Sequence, residues 1–244
     1  MKKLAFALAL IASLAASVSA QEDSDGGDGS SGVSFALKSY SLRIGYNNSA
    51  IKAWSSFGNS ITLGRQYTSG STGFHLGAAA YFPFAEIELP HGRRGREVLV
   101  PYVFGFDPTV LFASKGGKSN RGINWGASSY RAIWTVDAYY LDIHAPLSFR
   151  RDFKGVSTKV GLGPYVAIGL FGDQTYEIQN AARTTFKAST FGSDGMSRLD
   201  GGIIGDASFE LLETFILSFR YTSGLTDDSI QSLYLTLGYS IKAN

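Results

Sequence analysis

Residues 233–241 read LYLTLGYSI, and the alternation within them decides the fold. Successive side chains of an extended chain point to opposite faces, so Leu233, Leu235, Leu237, Tyr239 and Ile241 share one side and Tyr234, Thr236, Gly238 and Ser240 the other. The same reading extends backwards. Phe215, Leu217, Phe219 and Tyr221 oppose Ser218, Arg220 and Thr222, and Ile203, Ala207 and Phe209 oppose Asp206, Ser208 and Glu210. In the middle of the chain Tyr139, Leu141, Ile143, Leu147 and Phe149 oppose Tyr140, Asp142, His144, Ser148 and Arg150. Val160, Leu162, Val166 and Ile168 oppose Gly161, Gly163, Tyr165 and Ala167, and Phe74, Leu76 and Phe82 oppose His75, Gly77 and Tyr81.

Alternation alone also fits a soluble sandwich, and three further features favour a membrane barrel. Several segments approach the ~9–11 residues that cross a bilayer at a tilt. Their apolar faces carry aromatic residues towards the ends, as interfacial girdles do. Their other faces carry Asp, Glu, Arg and His, too polar for a sandwich core but suited to a polar barrel interior. Pro108, Pro146 and Pro164 fit only at bulges or strand ends of such a wall.

Composition narrows the classes further. The chain has 244 residues with 29 Gly, 14% aromatic and only 17% charged residues, and a mean hydropathy of +0.02. No stretch after the N-terminus reaches the ~18 apolar residues of a membrane helix. The chain has no Cys, so disulfides, thiolate metal sites, a cysteine nucleophile and a lipoprotein anchor are excluded. Lys2 and Lys3, the apolar run from Leu4 and the small residues Val18-Ser19-Ala20 predict a signal peptide over 1–20. Its removal takes 22 basic residues to 20 against 20 acidic ones, a balance without the basic surface of a nucleic-acid binder. Residues 21–39 open with QEDSDGGDGSSG and read as a flexible periplasmic leader, with an outer-membrane barrel over 40–244.

Barrels of this kind have even strand numbers, short periplasmic turns and longer external loops. Strands are expected near 40–54, 72–84, 98–115, 132–151, 156–172, 198–211, 215–224 and 231–242, giving an eight-stranded antiparallel up-and-down transmembrane β-barrel. Tight turns fall at 151–155 and 212–214, and long polar external loops at 116–131 and 173–197. Residues 58–68 belong to the first external loop. Residues 85–97, with Arg93, Arg94 and Arg96, are long for a periplasmic turn.

The order of several motifs resembles a known family. SLRIGYNNS (41–49), GFHLGAAAYFPF (73–84) and GFDPTVLFASKGGKS (105–119) precede YYLDIHAPLSFR (139–150), VGLGPYVAIGLFG (160–172), RLDGGIIGDASFEL (198–211) and LYLTLGYSI (233–241). This run is similar to the PorT-like outer-membrane β-barrel domain over roughly residues 40–242. Asp142 stands where the family more often carries Glu, and the Arg-rich turn matches no family motif. The resemblance implies an eight-stranded outer-membrane barrel but no single activity; one member serves a secretion system. It leaves outer-membrane lipid and other envelope proteins as expected partners.

Candidate chemistry is sparse. Asp142, His144 and Ser148 share a face, but residues four apart along a strand lie ~13 Å apart, so His144 cannot serve Ser148 as a base. His75, His91 and His144 have no zinc-ligand spacing, and no nucleotide loop or nucleophile elbow is present. No cofactor is expected, and no enzymatic activity. Arg43, Asp107, Asp142, His144, Arg150, Lys159, Asp206, Glu210 and Arg220 fall on interior faces with both signs of charge. An eight-stranded barrel is only wide enough for side chains to fill, so Asp142, Asp206 and Glu210 are expected to pair with Arg43, Arg150 or Arg220 as a structural lumen network. A lipid-modifying enzyme and a small channel are the competing readings.

Overall fold

A computed structural model gives the fold and describes residues 36–57, 61–91, 98–125, 128–179, 183–191 and 195–243. The expected signal peptide, most of the leader, and Arg93, Arg94 and Arg96 lie outside the described residues. The elements are β1 (Ser39–Phe57), β2 (Ile61–Tyr67), β3 (Ser69–His91), β4 (Val98–Phe106), β5 (Thr109–Trp125), β6 (Ser128–His144), β7 (Leu147–Phe153), β8 (Val156–Gln179), β9 (Arg183–Ser189), β10 (Leu199–Leu211), β11 (Phe215–Gly224) and β12 (Ser229–Lys242). All pairings between them are antiparallel.

The ring closes through β1–β12–β11–β10–β8–β6–β5–β3–β1, a barrel of eight strands. β4 continues into β5 across Asp107-Pro108, and β6 into β7 across Ala145-Pro146, so each pair serves as one long wall strand. Following the register from Phe209 leads through Leu217, Leu237, Ile44, Leu76, Phe112, Leu141 and Ile168 back to β10 at Leu199. The circuit returns ten residues away from its start, and this stagger tilts the strands. Every residue on it is apolar. The alternation in the sequence is therefore one continuous greasy spiral on the outer surface, with Leu237 62% and Ile44 64% exposed.

The prolines are handled within the wall. Proline lacks the N–H that a reciprocal pair needs. In three hydrogen-bonded pairs across four neighbouring wall strands only one bond survives: Ala80 N–H to Pro108 O at 3.0 Å, Asp107 N–H to Pro146 O at 3.1 Å and Ala145 N–H to Pro164 O at 3.0 Å. Pro108 and Pro146 interrupt their strands as expected, whereas Pro164 lies inside β8.

Three segments read as loops are ladders. β5 and β6 pair as far as Trp125 and Ser128, so 116–131 is a hairpin rather than a loop. β9 pairs Asp173 to Gln179 of β8, which converts much of 173–197 into a second hairpin. β2 pairs the extension of β1 outside the ring, where the sequence placed 58–68. Gly, Ser, Asn and charged residues dominate 116–131 and read as a loop, whereas Thr175, Ile178, Thr184 and Thr185 in 173–197 and Ile61 and Thr62 in 58–68 are residues that suit a pleated surface. At the opposite end lie the turns 154–155 and 212–214 and the β3–β4 hairpin. Both ends of the described wall meet there: Lys38 N–H donates to Tyr81 O at 2.9 Å and Ala243 N–H to Lys38 O at 3.1 Å. The last residues of the expected leader thus belong to the barrel.

Candidate functional site

The wall turns its polar face inward, and the lumen is the only place for these charges to meet. At the turn end Arg150 reaches Glu210 at 2.7 Å, Asp152 at 2.7 Å and Ser157 at 2.8 Å. Above it Asp107 bonds Lys159 and faces Arg43 at 3.6 Å. In the next layer Arg220 donates to Asp206 at 3.2 Å and to His144 Nδ1 at 3.0 Å. A guanidinium has no lone pair, so Nδ1 is the acceptor and the neutral ring carries its proton on Nε2. Lys115 then bonds Asp142 at 2.8 Å, and Tyr234 donates to the other oxygen of Asp142 at 2.7 Å. Nearer the hairpin end Asp200 accepts from Tyr165 at 2.8 Å, Thr226 at 2.7 Å and the Ile230 N–H at 3.2 Å.

The expected interior residues are all inside, but one pairing differs. Asp142 pairs with Lys115, not with Arg43, Arg150 or Arg220. Lys115 follows Asp107, Thr109, Leu111 and Ala113 on the same face, so extending the alternation would have found it. The Gly-Gly-Lys-Ser that follows reads as a loop and hid it. Glu210 and Arg220 lie on paired strands, yet Arg220 stands opposite Asp206 and Glu210 opposite Ile216. Buried cations without a carboxylate are costly, and here five cations (Arg43, Lys115, Arg150, Lys159, Arg220) meet five carboxylates (Asp107, Asp142, Asp152, Asp206, Glu210) among the described residues.

Above the charges the lumen becomes apolar. Ile51, Trp134, Val136, Tyr140, Ile204 and Ile230 form a buried cluster with Phe191 and Met196. The last two follow β9, where Thr190 N–H donates to Gly172 O at 3.0 Å and Met196 N–H to Thr190 O at 2.8 Å. The Phe191 ring meets Tyr140 edge-on at 5.4 Å. Gly169 makes room for it, since a Cβ there would lie 2.4 Å from the ring. At the turn end a cavity of about 20 Å³, lined by Arg43, Tyr81, Asp107, Arg150, Lys159 and Glu210 among others, has room for about one water.

His144 and Ser148, too far apart on one strand to act together, have separate partners. Ser148 Oγ donates to Gly105 O at 3.2 Å, and His144 is held by Arg220 between the rings of Tyr165 and Tyr234. Among the described residues no group of His, Asp and Glu could hold a metal ion.

A closed wall leaves no backbone edge unpaired, and the residues of its outer circuit are apolar while the paired charges lie within. This is a transmembrane β-barrel of the outer-membrane type. No helix among the described residues is long and apolar enough to cross a membrane, and the strands do so instead. No family model matches the chain, and neither does any curated protein. Among solved structures the chain is similar to Ail, the attachment invasion locus protein of Yersinia pestis, in complex with the heparin analogue sucrose octasulfate. That likeness has 15% identity and a TM-score of 0.33, covering 84% of this chain and 100% of that one. Neisserial surface protein A is similar at 10% identity and a TM-score of 0.27, covering 84% and 97%. An outer membrane channel from Pseudomonas putida F1 follows at 6% identity and a TM-score of 0.23, covering 89% and 100%.

Proposed function

We propose that this protein is a non-catalytic outer-membrane barrel whose lumen is a structural core and whose external hairpins engage other envelope components. The observation that carries this reading is the stack of ion pairs across the lumen, capped by Phe191 and Met196. Side chains fill the space that a solute would need. Binding function on a rigid barrel then falls to the segments beyond it, here the β1–β2, β5–β6 and β8–β9 hairpins. The PorT-like motif order supports envelope proteins as partners, including components of a secretion system.

The test has two arms. Purified protein in planar bilayers should show no steady conductance. Replacing the β5–β6 and β8–β9 hairpins by short turns should leave the heat-modifiable barrel intact but remove its crosslinked partners from outer-membrane preparations. Open channels in the first arm, or an unchanged set of partners in the second, would refute the proposal.

A further inference from the structure

On β7 two neighbouring arginines have opposite surroundings. Arg150 points into the lumen and is matched by Glu210 and Asp152. Arg151 points outward with Phe149 and Phe153, on the face that meets lipid. Its guanidinium lies 5.3 Å from the Tyr102 ring centre and 4.4 Å from that of Phe153. Tyr102 is itself fixed by stacking on Phe149 at 4.7 Å. No carboxylate pairs with Arg151 among the described residues, and its Nε, shielded from solvent, makes no hydrogen bond.

An unmatched cation on a lipid-facing wall needs a counter-charge. Its own strand gives none: Phe149 and Phe153 flank it, and across the ladder stands Thr158. Phe153 lies nearer the turn than Arg151, so the side chain runs towards the membrane surface in the manner of snorkelling arginines. This end carries the tight turns and both ends of the wall, and aromatic girdles sit at headgroup depth. The anion at that depth is the phosphodiester of the adjoining leaflet. A guanidinium recognises such a group through two parallel N–H···O bonds, which a lysine cannot reproduce.

We propose that Arg151, walled by Tyr102 and Phe153, is a phospholipid headgroup site on the outside of the barrel at its turn end, binding the lipid phosphodiester. The rings hold the guanidinium away from the bilayer core and present its edge to the headgroup layer. The adjacent Lys154, in the turn, adds positive potential but no clamp.

Native mass spectrometry of the full chain in mild detergent tests this, with phosphatidylglycerol titrated against phosphate-free diacylglycerol. The intact protein should retain phosphatidylglycerol, and Arg151→Gln should weaken that retention about tenfold. Arg151→Lys should fall between them, and Tyr102→Leu should weaken retention although every charge remains. Heat-modifiable mobility on a gel verifies that each variant is folded, and Lys154→Gln serves as a control expected to bind nearly as the intact protein does. Excess inorganic phosphate should not displace the lipid; displacement would assign the site to a free anion and overturn the proposal. Equal retention by Arg151→Gln, or equal retention of diacylglycerol, would overturn it as well.

Discussion

Lys115 and Asp142 meet inside the lumen at 2.8 Å with both side chains fully withdrawn from solvent. Each lies on an inward position of a strand that has neighbours on both sides, β3 and β6 for β5 and β5 and β8 for β6. Removing one partner strands the other's charge, at about 3–5 kcal/mol. Lys115→Met should lose that much in urea unfolding of the bilayer-inserted protein. Adding Asp142→Leu should restore most of it. A double variant no more stable than the single one would mean that Asp142 is otherwise neutralised.

Arg220 is bound to Asp206 and His144, whereas Lys118 is exposed on the β5–β6 hairpin. Arg220→Ala should deplete the folded, heat-modifiable band on a gel. Lys118→Ala, at an exposed position, should cost only ~0–1 kcal/mol and leave the band intact. Equal behaviour of the two would place water around Arg220.

The turn between β10 and β11 is closed by the Thr214 N–H donating to Leu211 O at 3.1 Å, and both central residues have positive φ, Leu212 at 52° and Glu213 at 57°. Left-handed conformations cost side-chain-bearing residues about 1–2 kcal/mol, and Asn tolerates them better than Leu. Leu212 is 73% exposed, so little burial is lost by changing it. Leu212→Asn should raise stability by about 1 kcal/mol, read as a higher urea midpoint with an unchanged slope.

Glu213 bonds Lys242 across this turn, which holds its carboxyl below the ordinary value of 4.5. A depressed carboxyl contributes stability above its unfolded value and loses it as pH falls through the folded one. The contact should therefore persist near neutral pH and loosen in acid, below the range in which free glutamate titrates. A carbon-detected NMR titration of the Glu213 carboxyl would follow it. In Lys242→Gln the midpoint should move back up.

Phe191 occupies the space above Gly169. Gly169→Ala would place a methyl group 2.4 Å from the ring, and overpacking of this kind costs about 1–3 kcal/mol. The segment should leave the mouth, and chymotrypsin should then cut after Phe191 in the variant but not in the parent. Resistance in both would show that the wall yields instead of the ring.

Much of this architecture is legible in the chain because parity is robust. One face of each strand must meet lipid, so Leu237, Ile44 and Leu141 could not be misassigned without exposing Arg43 and Asp142 to hydrocarbon. Pairing was harder. Arg220 lies five residues beyond Phe215 and Asp206 five before Leu211, so the 212–214 turn already brings them together once its register is counted. The Asp142–Lys115 pair is diagonal: Asp142 stands opposite Leu111 and Lys115 opposite Ala138, so a long lysine side chain joins them along the lumen and counting opposite positions does not reveal it. The closure of the mouth by Phe191 and Met196 was beyond reach. Two apolar residues in a Gly/Ser-rich segment carry no periodicity, and only the space above Gly169 gives them a place.

The three half-bonded proline pairs all fall on one side of the ring, between β3 and β8. The β10–β11–β12–β1 arc keeps its full ladder. A hoop weakened along a single arc does not fluctuate as a circle. Along this arc fewer backbone bonds hold neighbouring strands together than in the rest of the ring. Asp107 and His144, each within two residues of a proline of that arc, border it from the lumen side.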